Sequence, residues 1–169
     1  MQLKEFFLAQ LDAEARKTRR AVASVPEGFE DWRPHEKSMP LGQLVMLVAG
    51  VPSWFALIIR GEEIDVKPAD GPHHKPAAIH TSAERVAAVE KSCADARAAL
   101  METSDQHLME PWRLLETGKV MMTVTRHEML RDTFMHLAHH RGQLTVYIRM
   151  TGGMVPAIYG PSADESLYD

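Results

Sequence analysis

Two histidines, one helical turn apart, are the residues in this sequence best suited to chemistry. His136 and His140 are four positions apart in a segment with helical periodicity, so their imidazoles project from the same helix face and could share one ion. No HExxH glutamate lies between them, since the intervening residues are Leu137, Ala138 and His139, which disfavours a zincin-type protease. The chain has nine histidines, so the alternative that the pair is solvated or hydrogen-bonded on a helix face stays open.

The elements that must position this pair are predicted to be helices. Apolar residues recur at intervals of three and four in four segments of the chain, the period of a helix with one buried face. The first predicted helix runs from about Gln2 to Val25, and the last from about His127 to Thr151. The second runs from an N-cap at Ser38 through Ile58, with a break or kink at Pro52. The third runs from a capping box at Thr81 and Glu84 through Leu100.

The connections complete the predicted fold. Residues 65–80 contain three prolines and no helical period, which indicates a long exposed crossover that includes His73 and His74. Residues 111–125 could form a short hairpin around Thr117 and Gly118 or an irregular loop. The sequence predicts a single all-α domain over residues 1–169, a four-helix bundle with a long crossover between helices two and three.

Charge, cysteine content and hydropathy bear on the binding partners and on the compartment of the protein. The formal net charge of −4 gives the protein no electrostatic reason to bind nucleic acid. Cys93 is the single cysteine, so no internal disulfide can form and a reducing compartment is expected. The N-terminal residues lack the pattern of an export signal, and no run of 18 apolar residues occurs, so we expect a cytoplasmic protein without a membrane span.

Two segments resemble the DinB-like (YfiT-like) family. They are FMHLAHHRGQLTVYIRMTGGMVPAIYGPSADE at residues 134–165 and SMPLGQLVMLVAGVPSW at residues 38–54. The resemblance implies a four-helix bundle, usually dimeric, in a family that includes metal-dependent hydrolases and thiol-dependent transferases or isomerases. It also implies a divalent ion, often nickel or zinc, held by one histidine of helix two and two of the last helix. The latter two map onto His136 and His140, whereas the helix-two position maps onto Leu47.

Because Leu47 stands where the resemblance implies a histidine, the implied metal site is incomplete. Leucine has no lone pair to donate, and a catalytic zinc-like site normally uses three protein ligands. Two histidines could still bind a metal weakly, or a third ligand could come from elsewhere. The candidates, which the sequence does not rank, are Asp132, His35, His127 and His139.

Two functional hypotheses follow. The favoured one is a degenerate family member, a homodimeric binding or stress-related protein whose pocket accepts a small molecule and whose metal binding is weak or absent. The alternative is a metal-dependent hydrolase or thiol-dependent transferase acting on a small substrate, with a third ligand other than Leu47. No catalytic residue is assigned.

Overall fold

The computed structural model describes residues 2–69 and 79–166; His73 and His74 of the predicted crossover lie outside the described residues. The helices are α1 (Leu3–Ala23), α2 (Leu41–Gly50), α3 (Trp54–Arg60), α4 (Ser82–Glu102), α5 (Asp105–Leu108) and α6 (Arg126–Met150). The strands are β1 (Glu63–Asp65), β2 (Pro111–Glu116) and β3 (Lys119–Thr125).

The predicted interruption at Pro52 is confirmed. A single turn of 3-10 helix, Val51–Ser53, separates α2 from α3, because proline cannot donate the hydrogen bond that a continuous helix requires. The predicted N-cap at Ser38 is wrong: α2 starts after Pro40, which makes no side-chain cap. The capping box of Thr81 and Glu84 is confirmed, with the Thr81 hydroxyl accepting from the Glu84 N–H.

The second predicted helix lies at the centre of the fold. One side of it is buried against α4 and α6, and the buried residues in α2 are Leu41, Leu44, Val45, Val48 and Ala49. The segment Leu41–Arg60 has the length and mean hydropathy, 1.9, of a membrane span, but half of that window is buried inside the fold. Burial against other helices accounts for its composition as a core helix.

The prediction of a purely all-α bundle is wrong. The fold is mixed: 58% of the described residues are helical, and β1, β2 and β3 form one sheet in which β1 pairs with β2 in parallel and β2 with β3 in antiparallel fashion. The hairpin turns at Thr117 and Gly118, both with positive φ, a combination that suits the twist of a two-residue hairpin. The Asp65 carboxylate accepts from both of their N–H groups and ties β1 to this turn.

The sheet fixes the start of α6. Thr125 ends β3 and caps α6, and Glu128 closes the capping box on the Thr125 N–H. The next residue, Arg126, is fully buried and donates to the carbonyls of Pro111 and Gly61. The hairpin therefore anchors the helix that carries both candidate histidines.

A buried ion pair joins α6 to α1, the first helix. Arg141 and Glu14 have side chains only 1% and 3% exposed, and a guanidinium N–H of Arg141 donates to the Glu14 carboxylate. Arg141 also donates to the Thr18 hydroxyl at 2.9 Å, and the Tyr159 hydroxyl donates to Glu14 at 2.7 Å. Burial raises the pKa of Glu14, but hydrogen bonds from Lys17, Arg141 and Tyr159 outweigh it, so the net pKa lies below its ordinary value.

We expect Glu14→Gln to destabilise the protein by about 3–5 kcal/mol at pH 7, because it leaves the buried Arg141 charge unpaired. The matched control is Glu90→Gln, which removes an exposed ion pair with Arg19 and should cost less than about 1 kcal/mol. Urea denaturation followed by circular dichroism measures both. Equal losses in the two variants would contradict the role given to the buried pair.

The same pair predicts a pH dependence. Because the folded-state pKa of Glu14 is lowered from 4.5, its contribution to stability is present above that value and is lost as the pH falls through the folded-state pKa. The stability gap between the parent and Glu14→Gln should therefore narrow in acid, which the same denaturation series at lower pH measures.

Candidate functional site

The two histidines of α6 lie side by side. The ring centroids of His136 and His140 are 4.5 Å apart with an interplanar angle of 69°, as expected for residues four positions apart on one helix face. The face points towards α2 and α3, where the Trp54 ring lies 5.1 Å from that of His136. We call the group formed by Trp54, His136 and His140 the histidine seam.

His136 has a ring nitrogen without a partner. Its Nε2 is buried and makes no hydrogen bond within the described residues. Burial, with smaller contributions from His140 and His139, holds the pKa of His136 below its ordinary value, so the ring is neutral at pH 7. Buried polar atoms are nearly always hydrogen-bonded, and an unpaired Nε2 is the kind of atom that a ligand or water satisfies.

His140 is oriented by its own helix. Its Nδ1 lies 2.8 Å from the Gln143 side-chain oxygen, which can only accept, so Nδ1 is the donor of this hydrogen bond. His139 is exposed, with its ring 5.0 Å from that of His140. The arrangement offers the imidazole nitrogens of His136 and His140 as donors or acceptors.

The position that the sequence resemblance assigns to the third metal ligand holds an apolar side chain. Leu47 is half-buried and packs against the same core cluster as Trp54 and Tyr147. Leu47 and Trp54 are seven positions apart, so two helical turns separate them on one face of the α2–α3 segment. A hydrocarbon side chain supplies no electron pair, and the histidine seam therefore offers two metal ligands rather than three.

The four alternative third ligands are each engaged elsewhere or exposed. Asp132 accepts from Arg131, His35 accepts from the Lys37 N–H, His127 pairs with the Thr125 hydroxyl, and His139 is exposed. In residues 2–69 and 79–166, no group of three or more His, Cys, Asp or Glu side chains is placed to hold a metal ion. The donor set does not fit the three-ligand centre that the sequence resemblance implies.

Two other polar side chains of α6, Arg141 and Tyr147, lie away from the histidine seam. Arg141 is one residue beyond His140, a rotation of about 100° on a helix, and it pairs with Glu14 on the opposite side of α6. Tyr147 packs edge-to-face on Trp32 at 5.3 Å and fills the core. The sequence did not predict that Trp54 contacts His136 or that Tyr159 contacts Arg141. In both contacts the two residues are distant in the chain.

Comparison with known proteins identifies the family. The DinB family model matches residues 1–167. A DinB-like protein, YjoA, of Bacillus subtilis has a TM-score of 0.68 at 18% identity, covering 89% of this chain and 95% of that one. A DinB-like protein of Bacillus cereus ATCC 10987 has a TM-score of 0.69 at 19% identity, covering 92% and 97%. At these identities the two crystal structures bear on the fold alone.

A shorter match adds a sequence relative. Uncharacterized protein YrdA of Bacillus subtilis (strain 168) is 49% identical over 37 residues. That segment is 22% of each protein, so the match spans about a fifth of the curated relative. The family match over nearly the whole chain confirms the resemblance carried by the two sequence motifs, and the chain belongs to the DinB family.

Proposed function

We propose that this DinB-family protein is a small-molecule-binding domain whose metal centre is incomplete. The observation that carries the proposal is Leu47, an apolar side chain at the helix-two position where the family resemblance implies a histidine ligand. Two imidazoles bind a divalent ion less tightly than three, because each lost ligand removes one coordinate bond. Chemistry that depends on a firmly held metal is therefore not the function that this seam supports.

The histidine seam keeps the features of a binding site for a small polar molecule. The buried Nε2 of His136 has no partner in the described part of the chain, and the Trp54 ring beside it offers an apolar surface. A ligand in this seam would hydrogen-bond to a neutral imidazole and lie against the indole.

The alternative is a metal-dependent hydrolase or thiol-dependent transferase. It requires a third ligand that reaches His136 and His140 when nickel or zinc is present. The thiol would have to come from a substrate or cosubstrate, since half-burial raises the pKa of Cys93 to about 11 and keeps that group protonated. The same metal titration that tests the main proposal distinguishes this alternative.

We further propose that the protein acts in the cytoplasm as a twofold homodimer. The single reduced cysteine fits a reducing compartment. An apolar patch formed by Val146 and Met150 of α6 and by Met154 beyond it is more than half exposed. Apolar side chains that recur on one face of a helix without cover are typical of an interface, and twofold pairing is the commonest symmetric assembly.

We expect Leu47→His to create a metal site. The new imidazole supplies the missing third ligand, so nickel and zinc affinity should rise tenfold or more, which is about 1.4 kcal/mol or more of binding free energy. Isothermal titration of the untagged parent and variant measures it. Leu47→Phe is the matched control: it changes the same position without adding a ligand and should leave the affinity at the parent level.

A second variant shows whether the new site uses the predicted pair. His136→Phe in the Leu47→His background keeps a ring against Trp54 and removes one ligand, so the gained affinity should be lost. Tight, stoichiometric binding by the parent itself would overturn the proposal and favour the enzyme. An unchanged affinity in Leu47→His would show that residue 47 does not face the pair.

If the protein is a homodimer through this patch, acidic substitutions in the patch should halve the mass of the assembly in solution. Val146→Glu with Met150→Glu places two carboxylates per chain in the proposed interface, where burying an unpaired charge is costly. Light scattering at micromolar concentration should give twice the chain mass for the parent and one chain mass for the variant. A monomeric parent would contradict the dimer.

A further inference from the structure

A second site, separate from the histidine seam, lies in the groove between α1 and α6. The cavity there has a volume of about 260 Å³, near the lower end of the range for small-ligand pockets. It lies on the side of α6 that carries Phe134 and Ala138. The histidine seam lies on another side of α6, where His136 contacts Trp54 of α3. We call it the α1–α6 groove.

The floor of the α1–α6 groove is aromatic. Phe7 and Phe134 are buried with nearly parallel rings 6.3 Å apart, and Phe6 packs edge-to-face on Phe7 at 5.6 Å. At the rim, Phe6 and Met135 are about half exposed or more. Aromatic rings and a thioether form favourable contacts with a flat aromatic body, and leaving these side chains uncovered in water is unfavourable.

One end of the groove is polar and preorganised. The Glu14 carboxylate accepts from Arg141, Tyr159, Lys17 and Gln10, so its lone pairs are occupied and it does not act as a base towards a ligand. Two cations, Arg141 and Lys17, pair with this carboxylate, so its negative charge is compensated at this end. Gln10, which donates its amide N–H to Glu14, also lines this end of the groove.

The other end of the groove carries Arg131. Its guanidinium is more than half exposed, and it donates from Nε and Nη2 to the neighbouring Asp132. Its Nη1 has no protein partner among the described residues and is free to donate to an incoming oxyanion. Arginine binds carboxylates and sulfonates through such N–H groups.

We propose that the α1–α6 groove binds a small amphipathic anion with an aromatic body. The aromatic body lies against Phe6, Phe7 and Phe134, and the anionic group accepts from Arg131. Of the two charged side chains that line the groove, Glu14 is already paired with Arg141 and Lys17, whereas Arg131 can donate to a ligand, so an anion is favoured over a neutral or cationic molecule of the same shape. The groove shares no residue with the histidine seam, so this inference is independent of the state of the metal centre.

The test uses two fluorescent probes of similar shape. 8-Anilinonaphthalene-1-sulfonate is an aromatic anion, and N-phenyl-1-naphthylamine has the same rings without the sulfonate. We expect saturable binding of one sulfonate probe per chain and weaker binding of the neutral probe. Arg131→Gln should lower the affinity for the sulfonate probe about tenfold. It should change the affinity for the neutral probe less than about twofold, because only the sulfonate makes an ionic contact with Arg131.

A variant that fills the groove tests whether the probes bind there. Ala138→Trp inserts an indole into the cavity and should abolish binding of both probes, whereas Ala94→Trp, an exposed alanine on α4, should leave binding unchanged. Circular dichroism checks that both variants fold, and Arg131→Gln tests the site without altering its volume. Binding that survives Ala138→Trp, or equal affinity for the anionic and neutral probes, would overturn the proposal.

Discussion

The pairing of a buried arginine with a buried glutamate constrains the whole arrangement. Arg141 is in the middle of α6, where apolar residues would be expected, and it can be buried only because Glu14 of α1 meets it there. Removing either charge would leave the other unpaired in a low-dielectric interior. The pair therefore sets the rotation of α6 about its axis, and with it the direction in which every other residue of that helix points.

Once that rotation is set, α6 presents two unlike faces. Arg141 faces α1, so His140, one position earlier and about 100° around the helix, faces α2 and α3. The aromatic groove and the histidine seam are consequences of the same orientation. The hairpin supports it from the other end, because Arg126 is fixed at the start of α6 by backbone carbonyls of β2 and of the residue after α3.

The sequence predicted features that depend on neighbouring residues. Helix periods, the break at Pro52, the capping box at Thr81 and the proximity of His136 and His140 all follow from local spacing. The strand β1 could not be predicted: it has three residues, too few to show alternation, and it pairs with residues some fifty positions later, Glu63 with Arg113. The Glu14–Arg141 pair joins residues 127 positions apart, and no local pattern contains such a contact. The same limit hid the unpaired Nε2 of His136, which depends on how α6 packs on α3.

The proposed function depends on the donor set at the histidine seam, and metal content tests that donor set most directly. Untagged protein is exposed to nickel and zinc, desalted, and analysed by mass spectrometry for ions per chain. Two imidazoles without a third ligand predict far less than one ion retained per chain. One firmly held ion per chain would contradict the account, because it would require a third ligand that the described residues do not place beside His136 and His140.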